Sequence, residues 1–163
     1  MDVTIRHTEP SDFEGVQSLY TQPSCYSGTL QLPYPSLSNW QARLANMGKD
    51  HYNLVALIDN QIVGQIGMII MDNPRRKHVA NIGMSVSHQL QNQGIGTQLL
   101  EAILDLADNW LALKRVELEV YTDNPAAIAL YKKAGFVIEG TAKNYAFRDG
   151  EYVDSHLMAR LAQ

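Results

Sequence analysis

The run Gln91-Asn92-Gln93-Gly94-Ile95-Gly96-Thr97-Gln98-Leu99-Leu100 has the residue types of an anion cradle. Gly94 and Gly96 carry no side chain, so a large anion can approach the backbone there. At the start of a helix, the first-turn N–H groups lack intrahelical partners and the helix dipole adds partial positive charge. Phosphate is the anion that such a turn receives. A Walker loop is excluded, because Thr97 has no lysine before it. The dinucleotide fingerprint is excluded too, since its third small residue falls on Leu99. What remains is Gln-x-x-Gly-x-Gly, and the residues alone leave two readings open. One is a phosphate cradle; the other is a tight turn whose glycines serve close packing.

The flanking patterns supply the elements that would hold this turn. His78 to Val86 reads as a strand, with Ala80, Ile82, Met84 and Val86 on one face and Asn81, Gly83 and Ser85 on the other. After the turn, Ile95, Leu99, Ala102, Ile103, Leu106, Ala107 and Trp110 recur at spacings of three and four, the inner face of an amphipathic helix. Val116 to Tyr121 is another strand, with Val116, Leu118 and Val120 inward and Glu117 and Glu119 outward. Asn124 suits the N-cap of the next helix and Pro125 its first position, and Gly135 ends it. Tyr131 lies on the apolar face of that helix, where a packed core tyrosine is the plain expectation.

Composition narrows the classes. A length of 163 residues suits one domain, spanning 1–163, with a real core. With 45% hydrophobic and 18% charged residues, the chain is globular and not disordered. A net charge of −4 argues against nucleic acid as the main partner, and Arg75-Arg76-Lys77 reads as a solvated loop. No apolar run approaches the ~20 residues of a membrane span. The opening Met1-Asp2-Val3-Thr4-Ile5-Arg6 lacks a signal-peptide core, and the lone Cys25 cannot form an internal disulfide, so a cytoplasmic protein is expected. Cys25 has no adjacent histidine to activate it, and burial is the commoner fate of such a thiol.

The remaining elements follow in order. Val3 to Ile5 forms a first strand, and Thr8 or Ser11 caps a helix carrying Phe13, Val16, Leu19 and Tyr20 inward. Residues 22–37 read as a proline-rich loop with a short extended piece, carrying Tyr26, Leu30, Leu32 and Tyr34. These apolar residues either pack on the core or line a cleft. Ser38 to Met47 is a short helix. Tyr52 to Ile58 and Ile62 to Met71 form a hairpin around Asp59-Asn60-Gln61. Two closing strands flank the turn Asp149-Gly150. The order is β-α-α-β-β-β-α-β-α-β-β, one mixed α/β domain.

The two-glycine turn resembles the acyl-CoA pyrophosphate loop of the Gcn5-related N-acetyltransferases, Arg/Gln-x-x-Gly-x-Gly/Ala. Asn124-Pro125-Ala126-Ala127-Ile128-Ala129-Leu130-Tyr131-Lys132-Lys133-Ala134-Gly135-Phe136 is similar to that superfamily's second signature, Asn-x-x-Ala-x-x-x-Tyr-x-x-x-Gly-Phe, about 30 residues after the first. Two signatures at the family's separation are far more specific than either alone, and the resemblance covers the whole chain. The closing stretches Glu139-Gly140-Thr141 and Gly150-Glu151-Tyr152-Val153-Asp154, with Met158-Ala159, are similar to the ribosomal-protein and small-molecule branch. Within it the chain looks like bacterial L-amino-acid N-acetyltransferases that accept phenylalanine and methionine.

The resemblance implies a twisted mixed sheet, splayed between strands four and five, that receives acetyl-CoA without a metal. Backbone groups of Met84, Ser85 and Val86 would pair with the pantetheine arm. The turn from Gln91 through Asn92, Gln93, Gly94, Ile95, Gly96 and Thr97 would hold the pyrophosphate, and Asn124 would bond the arm through its side chain. Tyr131 would protonate the departing thiolate, since a phenol keeps its proton at working pH. A neutral amine would attack the thioester directly, with a backbone N–H near Met84–Val86 as oxyanion donor. Leu32, Tyr34, Asn81 and Glu119 are the candidate acceptor-binding residues. Glu117, Glu119, His78 and His88 are all candidates for taking the amine proton, and the sequence does not choose among them. The acceptor is a small-molecule amine, an L-amino acid before a protein N-terminus; a non-catalytic acyl-CoA-binding module is the reading outside enzymes. Members of this branch often pair as dimers through their C-terminal strands, and the apolar tail from Tyr145 to Leu161 allows the same here.

Overall fold

The structure is a computed structural model describing residues 1–163. Its strands are β1 (Thr4–His7), β2 (His51–Ile58), β3 (Gln61–Ile70), β4 (Val79–Val86), β5 (Arg115–Tyr121), β6 (Val137–Arg148) and β7 (Glu151–Leu161). They form one sheet in the order β1-β2-β3-β4-β5-β7-β6. Every pairing is antiparallel except β4 with β5. The helices are α1 (Phe13–Tyr20), α2 (Pro23–Ser27), α3 (Leu37–Ala45), α4 (Ile95–Asp105) and α5 (Pro125–Lys133). This is the expected mixed α/β architecture, a central sheet flanked by helices. No helix is long and apolar enough to cross a membrane.

Strand alternation divides the core between the two faces of the sheet. On β2, Leu54 and Ala56 join the larger cluster, where α4 contributes Leu99, Leu100 and Ile103 and the segment around α5 contributes Tyr131 and Phe136. Val55 and Leu57 face the other way, onto Val16, Leu19 and Tyr20 of α1 and Trp40 and Leu44 of α3. Tyr20 and Trp40 stack at 5.0 Å between ring centroids. The Tyr20 hydroxyl donates to Gln65 Oε1 at 2.8 Å, and Gln65 Nε2 donates to Asn53 Oδ1 at 2.9 Å, so the buried amide of Gln65 is satisfied on both ends.

The turns use the left-handed backbone that their residues tolerate. Asp59 (φ 50°) and Asn60 (φ 63°) join β2 to β3, and Asp149 (φ 48°) with Gly150 (φ 82°) joins β6 to β7. Two consecutive positive φ angles match the right-handed twist of the flanking strands.

Three local expectations need correction. Residues 22–37 are not loop throughout, because Pro23 occupies the first position of the short helix α2 and Cys25 docks into the α1–α3 cluster. The start of the first helix is held by neither Thr8 nor Ser11. The Asp12 carboxylate takes the Glu9 N–H at 2.7 Å and pairs with Arg6, while Thr8 Oγ1 donates to Asn53. Trp110 does not continue the inner face of α4. Residues Leu106–Trp110 widen into a π-turn, with the Leu111 N–H bonded to the Leu106 carbonyl, and the changed angular step leaves Trp110 75% exposed.

Leu99 has no exposed surface and lies where α4 crosses the sheet. Leu99→Ala is expected to lower unfolding free energy by about 2–5 kcal/mol in urea titration, because the rigid sheet behind it cannot close the cavity. A loss below about 1 kcal/mol would show that this contact is not central to the core.

Candidate functional site

Strands β4 and β5 run side by side only from Val79–Asn81 against Arg115–Glu117. Beyond that they diverge. β4 keeps β3 on one edge as far as Val86, so its other edge at Met84, Ser85 and Val86 has no strand partner. Unpaired backbone groups on a strand edge can take an extended amide-bearing chain as an added strand. At the base of the opening, Asn81 Nδ2 reaches across to the Glu119 carboxylate at 3.1 and 3.3 Å.

A cavity of about 610 Å³ runs from this opening to the turn before α4. The turn is shaped by Asn92 (φ 61°) and Gly94 (φ 85°). The first N–H of α4 with an intrahelical partner is that of Gln98, onto the Gly94 carbonyl at 3.1 Å. The N–H groups from Asn92 through Thr97 therefore make no hydrogen bond within the chain, and Asn92, Gly94, Gly96 and Thr97 line the cavity. A Cβ on Gly96 would meet Leu130 at 3.3 Å and Met84 at 3.6 Å. Close packing and an open cradle thus both hold at this turn. Gln91 Nε2 donates to the Val86 carbonyl at 3.3 Å and ties the turn to β4. Gln93 does not line the cavity, and the Ile95 side chain is buried in the core. Lys133, which the sequence reading passed over, brings a cation to the wall.

A second cavity of about 220 Å³ lies on the other side of Tyr131. The two share Gly28, Met84, Asn124, Ala127 and Tyr131 as walls. The Tyr131 ring packs edge-on against Phe136 at 5.7 Å, and its hydroxyl makes no hydrogen bond within the chain. Burial pushes its pKa up to about 12, so the group is a neutral proton donor at neutral pH. Asn124 Oδ1 accepts the Ala127 N–H at 3.2 Å as helix cap, which aims the amide nitrogen away from the helix.

Of the residues expected to bind the acceptor, Asn81 and Glu119 line the smaller cavity. Leu32 and Tyr34 do not. They are 79% and 96% exposed, because the segment reaches the smaller cavity only through Gly28, Thr29 and Leu30 and then turns outward. The Tyr121 hydroxyl donates to the Thr29 carbonyl at 2.8 Å and anchors that turn. Tyr121, Tyr145 and Ser155 complete the walls. Strand alternation already places Tyr121 on the face of Glu119. Ser155 has no such signal, since it arrives through the register of β7.

The candidates for the amine proton separate here. Glu117 is bonded to Arg76 and Arg115; burial opposes its ionisation, but the two guanidinium groups hold the carboxyl below its ordinary range. A carboxylate so held is a poor base. His78 and His88 line neither cavity. Cys25 lies in the wall of the larger cavity, where burial pushes its thiol pKa up and Sγ donates to the Val86 carbonyl at 3.5 Å, so it is not activated. No group of three metal-ligating side chains is gathered anywhere in the chain.

A cradle of free N–H groups, a strand edge without a strand partner and a phenol in the wall of two cavities thus lie together at the parting of β4 and β5. The acetyltransferase (GNAT) family matches residues 16–136, and the chain belongs to it. It is 44% identical over 160 residues to the L-amino acid N-acetyltransferase AaaT of Escherichia coli (strain K12), covering 98% of each chain. It is 38% identical over 116 residues to an N-alpha-acetyltransferase of Saccharolobus solfataricus, covering 65% of this chain and 66% of that one. A GNAT-family acetyltransferase from Streptococcus pneumoniae superposes with a TM-score of 0.87 at 26% identity, over 99% of this chain and 100% of the other.

Two outcomes follow from this geometry. Gly94→Asp sets a carboxylate against the cradle and strains a left-handed backbone, so acetyl-CoA affinity measured calorimetrically should fall at least about a hundredfold; undiminished affinity would remove the turn from the site. Tyr131 has a folded-state pKa raised above the unfolded value of about 10. Its contribution is therefore whole below pH 10 and is lost as pH rises toward 12. Between those limits the wild type should lose stability more steeply than Tyr131→Phe in denaturant titrations, and parallel slopes would mean that the phenol ionises freely.

Proposed function

We propose that this acetyltransferase moves the acetyl group of acetyl-CoA to the α-amine of a free L-amino acid. The observation that carries the reading is the position of Tyr131, the shared wall between a long cavity with a phosphate-type cradle and a small one with a carboxylate. Acetyl-CoA, when bound, supplies an acyl thioester and a pyrophosphate. In this reading the N–H groups from Asn92 to Thr97 hold the pyrophosphate, and the free edge at Met84, Ser85 and Val86 aligns the arm beside Asn124. A backbone N–H of that edge would serve the acyl oxygen, as a fixed dipole that needs no reorganisation. The Tyr131 hydroxyl, having no partner of its own, would give its proton to the leaving sulfur and regain one, directly or through water, from the second proton that the nitrogen sheds as the amide forms.

Glu119 attracts the acceptor's ammonium and takes its proton, directly or through water. Its bond to Asn81 keeps the carboxylate in place at the mouth of the splayed strands. The apolar part of the smaller cavity, with Leu30, Ile82 and Tyr145, suits a side chain such as that of phenylalanine or methionine. The 44% identity to an L-amino acid N-acetyltransferase supports that acceptor. The resemblance to the N-alpha-acetyltransferase of Saccharolobus solfataricus favours a second reading, a peptide N-terminus.

Coenzyme thiol release, measured with each L-amino acid and a set of short peptides, separates these readings. Release with apolar amino acids is expected; release with peptides alone would transfer the protein to the second reading. With the accepted amine, Tyr131→Phe should lower kcat by about 10²–10⁴-fold while acetyl-CoA affinity stays within about twofold, because only the leaving group needs the proton. Equal losses in both would make Tyr131 a packing residue.

A further inference from the structure

Ser155 is 1% exposed, and its hydroxyl has no hydrogen-bond partner anywhere in the chain. A buried hydroxyl left unpaired destabilises the fold, so its persistence calls for a reason. Its place supplies one. Ser155 stands opposite Tyr121 in the β5–β7 ladder, while Glu119 stands opposite Leu157. Residues 119 and 121 share one face of β5, and residues 155 and 157 share the matching face of β7. Glu119 and Ser155 are therefore diagonal neighbours across the ladder, with Cα atoms about 7–8 Å apart. Both line the 220 Å³ cavity beside Tyr131.

The proposed function brings an amine to Glu119, and this inference rests on that reading. We infer that Ser155 is a specificity-determining residue that donates a hydrogen bond to the oxygen of the carbon attached to the amine-bearing carbon. In an amino acid that oxygen belongs to the carboxylate; in an aminoacyl amide or a peptide it belongs to the first carbonyl. An amine nitrogen and an oxygen three bonds away can bridge the Glu119–Ser155 diagonal with one hydrogen bond each. The other residues that line this cavity include no lysine or arginine, so a neutral donor is what the wall offers to such an oxygen. A simple amine of equal bulk gains nothing from Ser155 and leaves the hydroxyl unpaired.

The test compares L-phenylalanine, L-phenylalaninamide and 2-phenylethylamine as acceptors for the wild type and Ser155→Ala, with melting temperature recorded for both. The wild type should prefer the two carbonyl-bearing acceptors, and Ser155→Ala should reduce that preference in kcat/KM about tenfold, the worth of one hydrogen bond. A fall for phenylalanine alone assigns the contact to the carboxylate; a fall for both assigns it to a carbonyl oxygen in general. The variant should melt at or above the wild-type temperature, because a buried unpaired hydroxyl has been removed. An unchanged preference, or melting several degrees lower, overturns the inference, since the second result would mean that Ser155 is bonded within the fold. A wild type that acetylates phenylethylamine as readily as phenylalanine overturns it too, while leaving acetyl transfer intact. A wild type that releases thiol with none of the three refutes the acceptor reading itself, and the inference with it.

Discussion

The rest of the structure depends on the parting of β4 from β5. Parallel pairing holds for three residues on each strand and then stops. An unpaired edge inside a sheet is costly unless something else satisfies its backbone groups. Here the neighbours do not close the gap. Asn81 and Glu119 bridge its narrow end, and Asn124 and Tyr131 of the α5 segment border its wide end. The gap can serve as a binding surface because no strand pairs with β4 there, only Gln91 and Cys25 reaching the Val86 carbonyl, and a ligand that pairs with this edge would stabilise the folded chain by mass action.

The same logic of unsatisfied groups recurs at each functional position. The turn before α4 leaves its N–H groups free because a helix cannot pair its own first turn and no capping side chain intervenes. The Tyr131 hydroxyl bonds to no group of the chain, and burial of the side chain keeps it protonated. The Ser155 hydroxyl is unpaired and buried beside it. The other buried side-chain oxygen without a partner, Ser24 Oγ, belongs to the wall of the larger cavity, whereas the Tyr20–Gln65–Asn53 network on the opposite face of the sheet is bonded. The chain thus concentrates its unmet hydrogen bonds along one seam, from the cradle past Tyr131 to the smaller cavity.

Much of this seam was legible in the residues. Gly94 and Gly135 take left-handed backbone, Gly96 sits where a side chain would crowd Leu130, and Asn124 caps its helix, so each residue type answers a local demand that short spacing records. Strand alternation placed Glu117 and Glu119 outward and Val116, Leu118 and Val120 inward, as found. Periodicity erred where a local departure accumulated. One widened turn sent Trp110 to solvent, although its spacing from Ile103 and Leu106 was helical. Prolines hid α2, because a proline that breaks a helix interior also begins a helix well. Leu32 and Tyr34 looked like cleft residues by composition, yet the direction of an exposed loop is decided by its anchors, here the bond from Tyr121 to Thr29.

The sequence by itself determined the local conformations and the family of the fold: which turns are left-handed, which helix begins on a cradle, which faces are apolar. These follow from interactions within a few residues, and short motifs record them. Tertiary structure alone decided which side chains share a cavity. The pairing of Glu119 with Asn81, the capture of Glu117 by Arg76, and the approach of Ser155 to Tyr121 all join residues far apart in the chain. They depend on strand register, and a shift of one residue would turn each of these side chains to the opposite face. No local pattern carries that register; only the assembled sheet sets it.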